Sequence, residues 1–112
     1  MARPTSLRDL FHGLPAQLDA DAADGVTAVY QFDLSGPDGG QYAVAIDRGV
    51  CTVSDGMHPD PHVTLAMDAG DARKVLSGQL SGQMAVFSGR LRVSGDLGLA
   101  MQLRGLFPGM RA

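Results

Sequence analysis

The 112-residue chain carries nine basic and twelve acidic side chains, net −3, with 45% hydrophobic and 19% charged residues. That balance is too apolar for intrinsic disorder and suits one folded domain, 1–112, burying roughly two thirds of the surface its unfolded form exposes. No apolar run reaches the ~18 residues of a membrane span, the N-terminus lacks a signal-peptide pattern, and a pI near 5.3 with two Tyr and four Phe argues against a nucleic-acid surface.

A cytoplasmic location is the corresponding expectation. Leu7, Leu10, Phe11 and Leu14 follow helical spacing behind Thr5 and Ser6, either of which can cap a helix, and Pro15 ends or kinks it. Leu18 adds a further apolar position before the Asp- and Ala-rich stretch 19–24, and Gly25 marks the next break. From Val26 the period changes to two. Val26, Ala28, Tyr30, Phe32 and Leu34 fall on one face and Thr27, Gln31 and Asp33 on the other, which predicts a half-buried strand over 26–34.

Turn chemistry at Ser35-Gly36-Pro37-Asp38-Gly39-Gly40 leads to a second alternating run, 41–47, with Tyr42, Val44 and Ile46 on one side. Arg48-Gly49 predicts a tight turn into a third strand, 50–54, where Cys51 reads as a small buried hydrophobe that has no partner for an internal disulfide. Two prolines keep the loop 55–61 from pairing, and the antiparallel meander is expected to continue with a strand at 62–67. Asp68 then caps a helix over 69–76, closed by Ser77-Gly78. A short helix at 83–87 places Met84 and Phe87 on one face. Leu91 and Val93 alternate with Arg90 and Arg92 in a fifth strand, 90–94, and Asp96 caps a last helix to about Phe107, before Pro108-Gly109.

This order predicts an α+β domain with helices on one face of a mostly antiparallel, five-stranded sheet. The helices are expected on the face bearing Tyr30, Phe32, Val44, Ile46 and Leu65, because a register slip of one residue would expose that whole set. The last helix is apolar almost all round, so it must be buried deeply or contact a partner or ligand. Charge is uneven as well. Residues 1–68 hold three basic and ten acidic groups, and residues 69–112 hold six basic and two acidic, so the C-terminal part suits an anionic partner.

Motifs for other chemistries are weak. His58 and His62 enclose two prolines, which exclude a helical metal pair and leave a solvated loop, and His12 needs no role beyond a helix C-terminus. The glycines at 36–40 lie between strands and form no phosphate cradle. Ser77, Ser88 and Ser94 each precede a glycine without a nucleophile elbow, so neither a catalytic set, a metal nor a cofactor is expected.

The segment Gly78-Gln79-Leu80-Ser81-Gly82-Gln83-Met84-Ala85-Val86-Phe87-Ser88-Gly89-Arg90-Leu91-Arg92-Val93-Ser94-Gly95-Asp96 resembles the signature of the sterol carrier protein 2 family. Leu97 to Leu103 looks like that family's C-terminal helix, Val29 to Gly36 like its first strand, and Asp60 to Leu65 like its fourth. The resemblance implies helices that enclose, against the sheet, a hydrophobic tunnel for a sterol, fatty acid, acyl-CoA or phospholipid. Two departures stand out: Gly82 replaces a proline common in the family and loosens the short helix, and the end Gly109-Met110-Arg111-Ala112 is not a peroxisomal tripeptide, as suits a stand-alone bacterial-type member.

On this reading the chain is a lipid carrier, with an accessory or dimerising domain as the alternative and an enzyme as the weakest class. The expected ligand wall is Phe32, Ile46 and Leu65 from the sheet, with Leu76, Leu80, Gln83, Met84, Phe87, Leu97, Met101, Leu103 and Phe107. Gln83 is its one polar member, suited to orienting a head group, while the methionines can repack around varied lipids. Expected partners are a lipid and, transiently, an anionic membrane surface, with the chain a monomer or weak dimer. The last helix is expected to act as a mobile wall, guided by Arg90, Arg92, Arg104 and Arg111.

Overall fold

Alternation along β1 (Ala28–Ser35) turns Ala28, Tyr30, Phe32 and Leu34 toward one side of the sheet, and all four are buried. The computed structural model describes residues 7–37, 39–76 and 79–107, with Arg104 described in its backbone alone. The cap expected at Thr5 or Ser6, turn residue Asp38, the helix stops at Ser77-Gly78 and Pro108-Gly109, and the Arg104 and Arg111 side chains lie outside that description.

β1 is followed by β2 (Gly40–Asp47) and β3 (Val50–Asp55), each antiparallel to the strand before it. The β2–β3 turn has positive φ at both Arg48 (54°) and Gly49 (77°), the twist that a two-residue hairpin requires. Opposed across the inner face are Tyr30 and Val44, Phe32 and Tyr42, and Ile46 and Cys51.

β4 (Val63–Asp68) corrects the expected meander. It does not join β3 but pairs in parallel with β1, with Phe32 opposite Leu65, and the strand order is β3-β2-β1-β4-β5. The cause lies in the crossing segment 56–62, which leaves the edge and folds over the outer face of β1. There Gln31, assigned by alternation to the polar face, is fully buried: its Nε2 donates to the Gly56 carbonyl (3.1 Å), and its Oε1 accepts from the His58 N–H (2.7 Å). His62 completes the attachment. Its N–H donates to the Val29 carbonyl (3.0 Å), and its Nδ1 accepts from the Val29 N–H (2.9 Å), so the imidazole stands in for a missing ladder partner.

The helices are α1 (Leu7–His12), α2 (Ala69–Leu76), α3 (Gly82–Phe87) and α4 (Leu97–Leu106), with a 3₁₀ turn at Leu14–Gln17 holding Pro15. Asp68 accepts from the Gly70 N–H (2.8 Å) at the start of α2. The inner face of the sheet and these helices share one apolar core, including Leu7, Phe11, Tyr30, Phe32, Val44, Ile46, Leu65, Ala85, Leu106 and Phe107. The last strand, β5 (Leu91–Gly95), runs antiparallel to β4 and ends at Gly95, where φ is +100° and a Cβ would meet the His62 carbonyl at 2.5 Å. Only glycine makes that turn into α4 without strain.

Candidate functional site

The segment that flanks β5 holds most of the expected ligand wall. Ser81 caps α3 by accepting from the Met84 N–H (3.0 Å), and Ala85, fully buried, anchors that helix to the core. With Ala85 inward, Met84 and Phe87 face out, Phe87 at 80% exposure. In α4, Asp96 accepts from the Leu99 N–H (3.1 Å), and Leu99, Leu103, Leu106 and Phe107 form the stripe on the core. Leu97 and Met101 occupy the opposite face, Met101 at 82% exposure.

The twelve expected residues therefore sort into three depths. Phe32, Ile46, Leu65 and Phe107 are buried; Leu76, Leu80 and Leu103 are partly buried against them; Gln83, Met84, Phe87, Leu97 and Met101 are exposed. The expected wall did not include Tyr30, read from the sequence only as a core-face residue; its hydroxyl donates to the Leu99 carbonyl (2.7 Å) and ties α4 to the sheet. Burial, and next the negative charge of Asp96, push this phenol up to about 12. The Asp19 N–H donates to the Leu106 carbonyl (2.8 Å), and the Asp96 N–H to that of His62 (3.0 Å), so α4 is held at both ends.

On the β3 side a shallow depression of about 250 Å³ is lined by Gly40, Gln41, Tyr42, Asp55 and Gly56. Asp55 Oδ2 pairs with Arg8 (2.7 Å) and Oδ1 with His12 Nε2 (2.8 Å), a partner for His12 that the sequence did not suggest. The hydrogen bond from His12 and the charge of Arg8 hold the Asp55 carboxyl below the usual carboxylate range. These pairs fasten α1 to the end of β3, and Phe11 of the same helix stacks on Tyr42 with ring centres 4.6 Å apart. His58 Nδ1 accepts from the Asp60 N–H (3.0 Å) within the crossing loop. Cys51 is buried, and burial pushes its thiol up to about 11.

Comparison with known families decides what this frame is. The SCP-2 sterol transfer family matches residues 7–108. The chain belongs to that family. Hydroxysteroid dehydrogenase-like protein 2 of Xenopus tropicalis is 31% identical over 107 residues, 95% of this chain and 26% of the relative. The Bos taurus protein of the same name is 32% identical over 112 residues, covering 99% and 27%. The chain thus spans about a quarter of the length of these curated relatives.

Among solved structures, palmitated SCP2L2 from Aedes aegypti superposes with a TM-score of 0.73 at 24% identity, covering 91% of this chain and 94% of that one. The sec-alkylsulfatase Pisa1 from Pseudomonas sp. gives 0.76 at 21%, covering 93% and 16%. Likeness at these identities speaks for the fold. SCP-2 family membership assigns the chain to lipid binding and transfer in general, and the two larger proteins carry the matching region as a minor part of a longer chain. No helix among the described residues is long and apolar enough to cross a membrane.

Proposed function

We propose that this SCP-2 family domain carries a sterol, fatty acid, acyl-CoA or phospholipid between its helices and the inner face of its sheet, without catalysing a reaction on it. The supporting observation is the graded burial of the expected wall. Phe32, Ile46, Leu65 and Phe107 are buried, Leu76, Leu80 and Leu103 are partly buried, and Met84, Phe87, Leu97 and Met101 are exposed. A lipid chain taken up under α3 and α4 would contact Leu76, Leu80 and Leu103 directly and would cover the outward Met84, Phe87, Leu97 and Met101 only as those helices turn them inward, each Å² of apolar area so removed from water contributing roughly 25 cal/mol. Met84 and Met101 suit such a site because an unbranched thioether repacks around different chain shapes.

Native mass spectrometry of the purified chain, followed by titration with a fluorescent fatty acid, tests the reading. Co-purified lipid, or saturable binding to monomer, supports it; an empty protein that fails to bind the probe overturns it. Gln83, on the exposed side of α3, is proposed to orient the ligand's polar end, and Gln83→Leu should then alter ligand preference. A second reading draws on the exposure of Met101 and on the relatives' greater length: the same helices would seat a partner domain or second copy. Concentration-dependent association without lipid binding would favour it.

A further inference from the structure

We infer that His62 is a proton-operated latch on the lipid site, holding the start of α4 when neutral and loosening it when charged; the inference rests on the lipid-carrier reading. The ring's Nδ1 accepts from the Val29 N–H (2.9 Å), and a backbone N–H can only donate, so Nδ1 carries no proton in this arrangement. A proton added there would set two donors against each other and break the bond. His62 is exposed, so solvent protons reach it. Imidazoles take up charge between about pH 5 and 8, and the attached arrangement excludes that charge, so acid favours the detached one.

The latch reaches the ligand site through a chain of hydrogen bonds. The His62 carbonyl accepts from the Asp96 N–H (3.0 Å), and a Cβ on Gly95 would meet the same carbonyl at 2.5 Å, so a shift of His62 displaces the turn into α4. The Asp96 carboxylate accepts from the Leu99 N–H (3.1 Å), and the Leu99 carbonyl from the Tyr30 hydroxyl (2.7 Å). Val29 and Tyr30 are neighbours in β1, so the chain of bonds leaves that strand and returns to it, with the start of α4 between. The bond from the His62 N–H to the Val29 carbonyl needs no free Nδ1, which makes the effect of acid a loosening and not an unfolding.

His58 and Asp60 on the same segment, Tyr30 and Asp33 on β1, Asp68 on β4, and Arg92 and Asp96 on the β5 side are the other titratable or charged groups of the elements packed here. Phenols, carboxylates and guanidinium groups do not ordinarily change charge between about pH 5.5 and 7.5, which leaves His58 as the rival. Its Nδ1 accepts from the Asp60 N–H inside the loop, with no bond to α4.

Amide protection factors over 97–107 in the ligand-free chain read the latch. In the wild type they should fall about fivefold from about pH 7.5 to about pH 5.5, the weight of one hydrogen bond, while β2 amides hold steady. His62→Asn keeps an acceptor near the position of Nδ1 that does not titrate, and should be insensitive to pH. His62→Ala should be loose throughout, and His58→Asn should follow the wild type. Release of a bound fluorescent fatty acid should speed up about fivefold over the same range in the wild type and less in His62→Asn, a comparison that cancels titration of the probe's own carboxyl.

Protection in α4 that ignores pH in the wild type, or that falls equally in His62→Asn, overturns the latch. So does a fall that His58→Asn abolishes. Imidazole nitrogen shifts check the starting point in the wild type alone: a proton on His62 Nδ1 at neutral pH overturns it even if a variant fails to fold. Absence of fatty acid binding at neutral pH would instead remove the carrier reading, while exchange in the ligand-free chain still decides the latch.

Discussion

The Tyr30 hydroxyl, rising from the centre of the sheet, donates to the Leu99 carbonyl in the first turn of α4 over 2.7 Å. With the bonds from Asp19 and Asp96, it holds α4 against the sheet along its length. Tyr30→Phe should cost about 1 kcal/mol of stability, and amide exchange over 97–107 should speed up more than in β1. Added lipid should slow exchange in the same helix. Equal exchange in α4 with and without lipid would mark it as ordinary core.

Alkaline pH tests the same residue. The folded phenol titrates at about 12 against an ordinary 10, so between these values the unfolded chain has lost a proton that the native one keeps, and stability falls as pH rises. Denaturant midpoints measured across this range should drop more steeply for the wild type than for Tyr30→Phe.

At acid pH the relevant group is Asp55. Its folded value lies below its unfolded one, so its contribution is present above the ordinary carboxylate range and is lost as pH falls through the lowered folded value. Asp55→Asn should therefore lower the melting temperature at neutral pH, and the gap from wild type should close on acidification. Because the pairs with Arg8 and His12 are at the surface, added salt should narrow it too. A gap independent of pH would remove the ionic account.

Cys51 offers a chemical readout. Buried and pushed up to about 11, its thiol is poor in thiolate at pH 8, and a disulfide reagent should label the native chain slowly. Labelling should accelerate with denaturant along the unfolding curve. Full reaction within the mixing time, in native buffer, would contradict the burial.

Gln31→Leu should destabilise the fold by about 2 kcal/mol, because the Gly56 carbonyl and His58 N–H lose their partner under the crossing segment. The His58 amide should show the largest gain in exchange rate, with α4 unaffected.

The sequence was most readable where one physical signal acted alone. Period-two alternation located β1 to β3, the Arg48-Gly49 turn fixed the β2–β3 register, and Asp68 and Asp96 marked the starts of α2 and α4. Boundaries moved by a residue or two, as at Val26, which packs on the core without joining β1. What alternation could not reveal was non-local. Gln31 reads as solvent-facing until the 56–62 segment is known to cover it, and the parallel β1–β4 pairing depends on that cover. His12 and Asp55 lie 43 residues apart, so their pairing left no local trace. In the candidate site, composition made α4 apolar all round, but it took the core stripe Leu99-Leu103-Leu106 to separate the inner residues from Leu97 and Met101.

The crossing of 56–62 over β1 also orders events in time. The β1–β2 and β2–β3 hairpins close through short turns, whereas joining β1 to β4 brings together Val29 and His62, 33 positions apart, at a greater loss of chain entropy. The three-stranded meander is thus expected to assemble first, with β4 arriving late onto an edge already presented by β1. Until then that edge is unpaired and open to another chain, so aggregation during refolding should rise when arrival is slowed. Stopped-flow refolding of Gln31→Leu tests the order: a changed unfolding rate with nearly unchanged folding would place the crossover after the barrier, and slowed folding of equal size would place it within the nucleus.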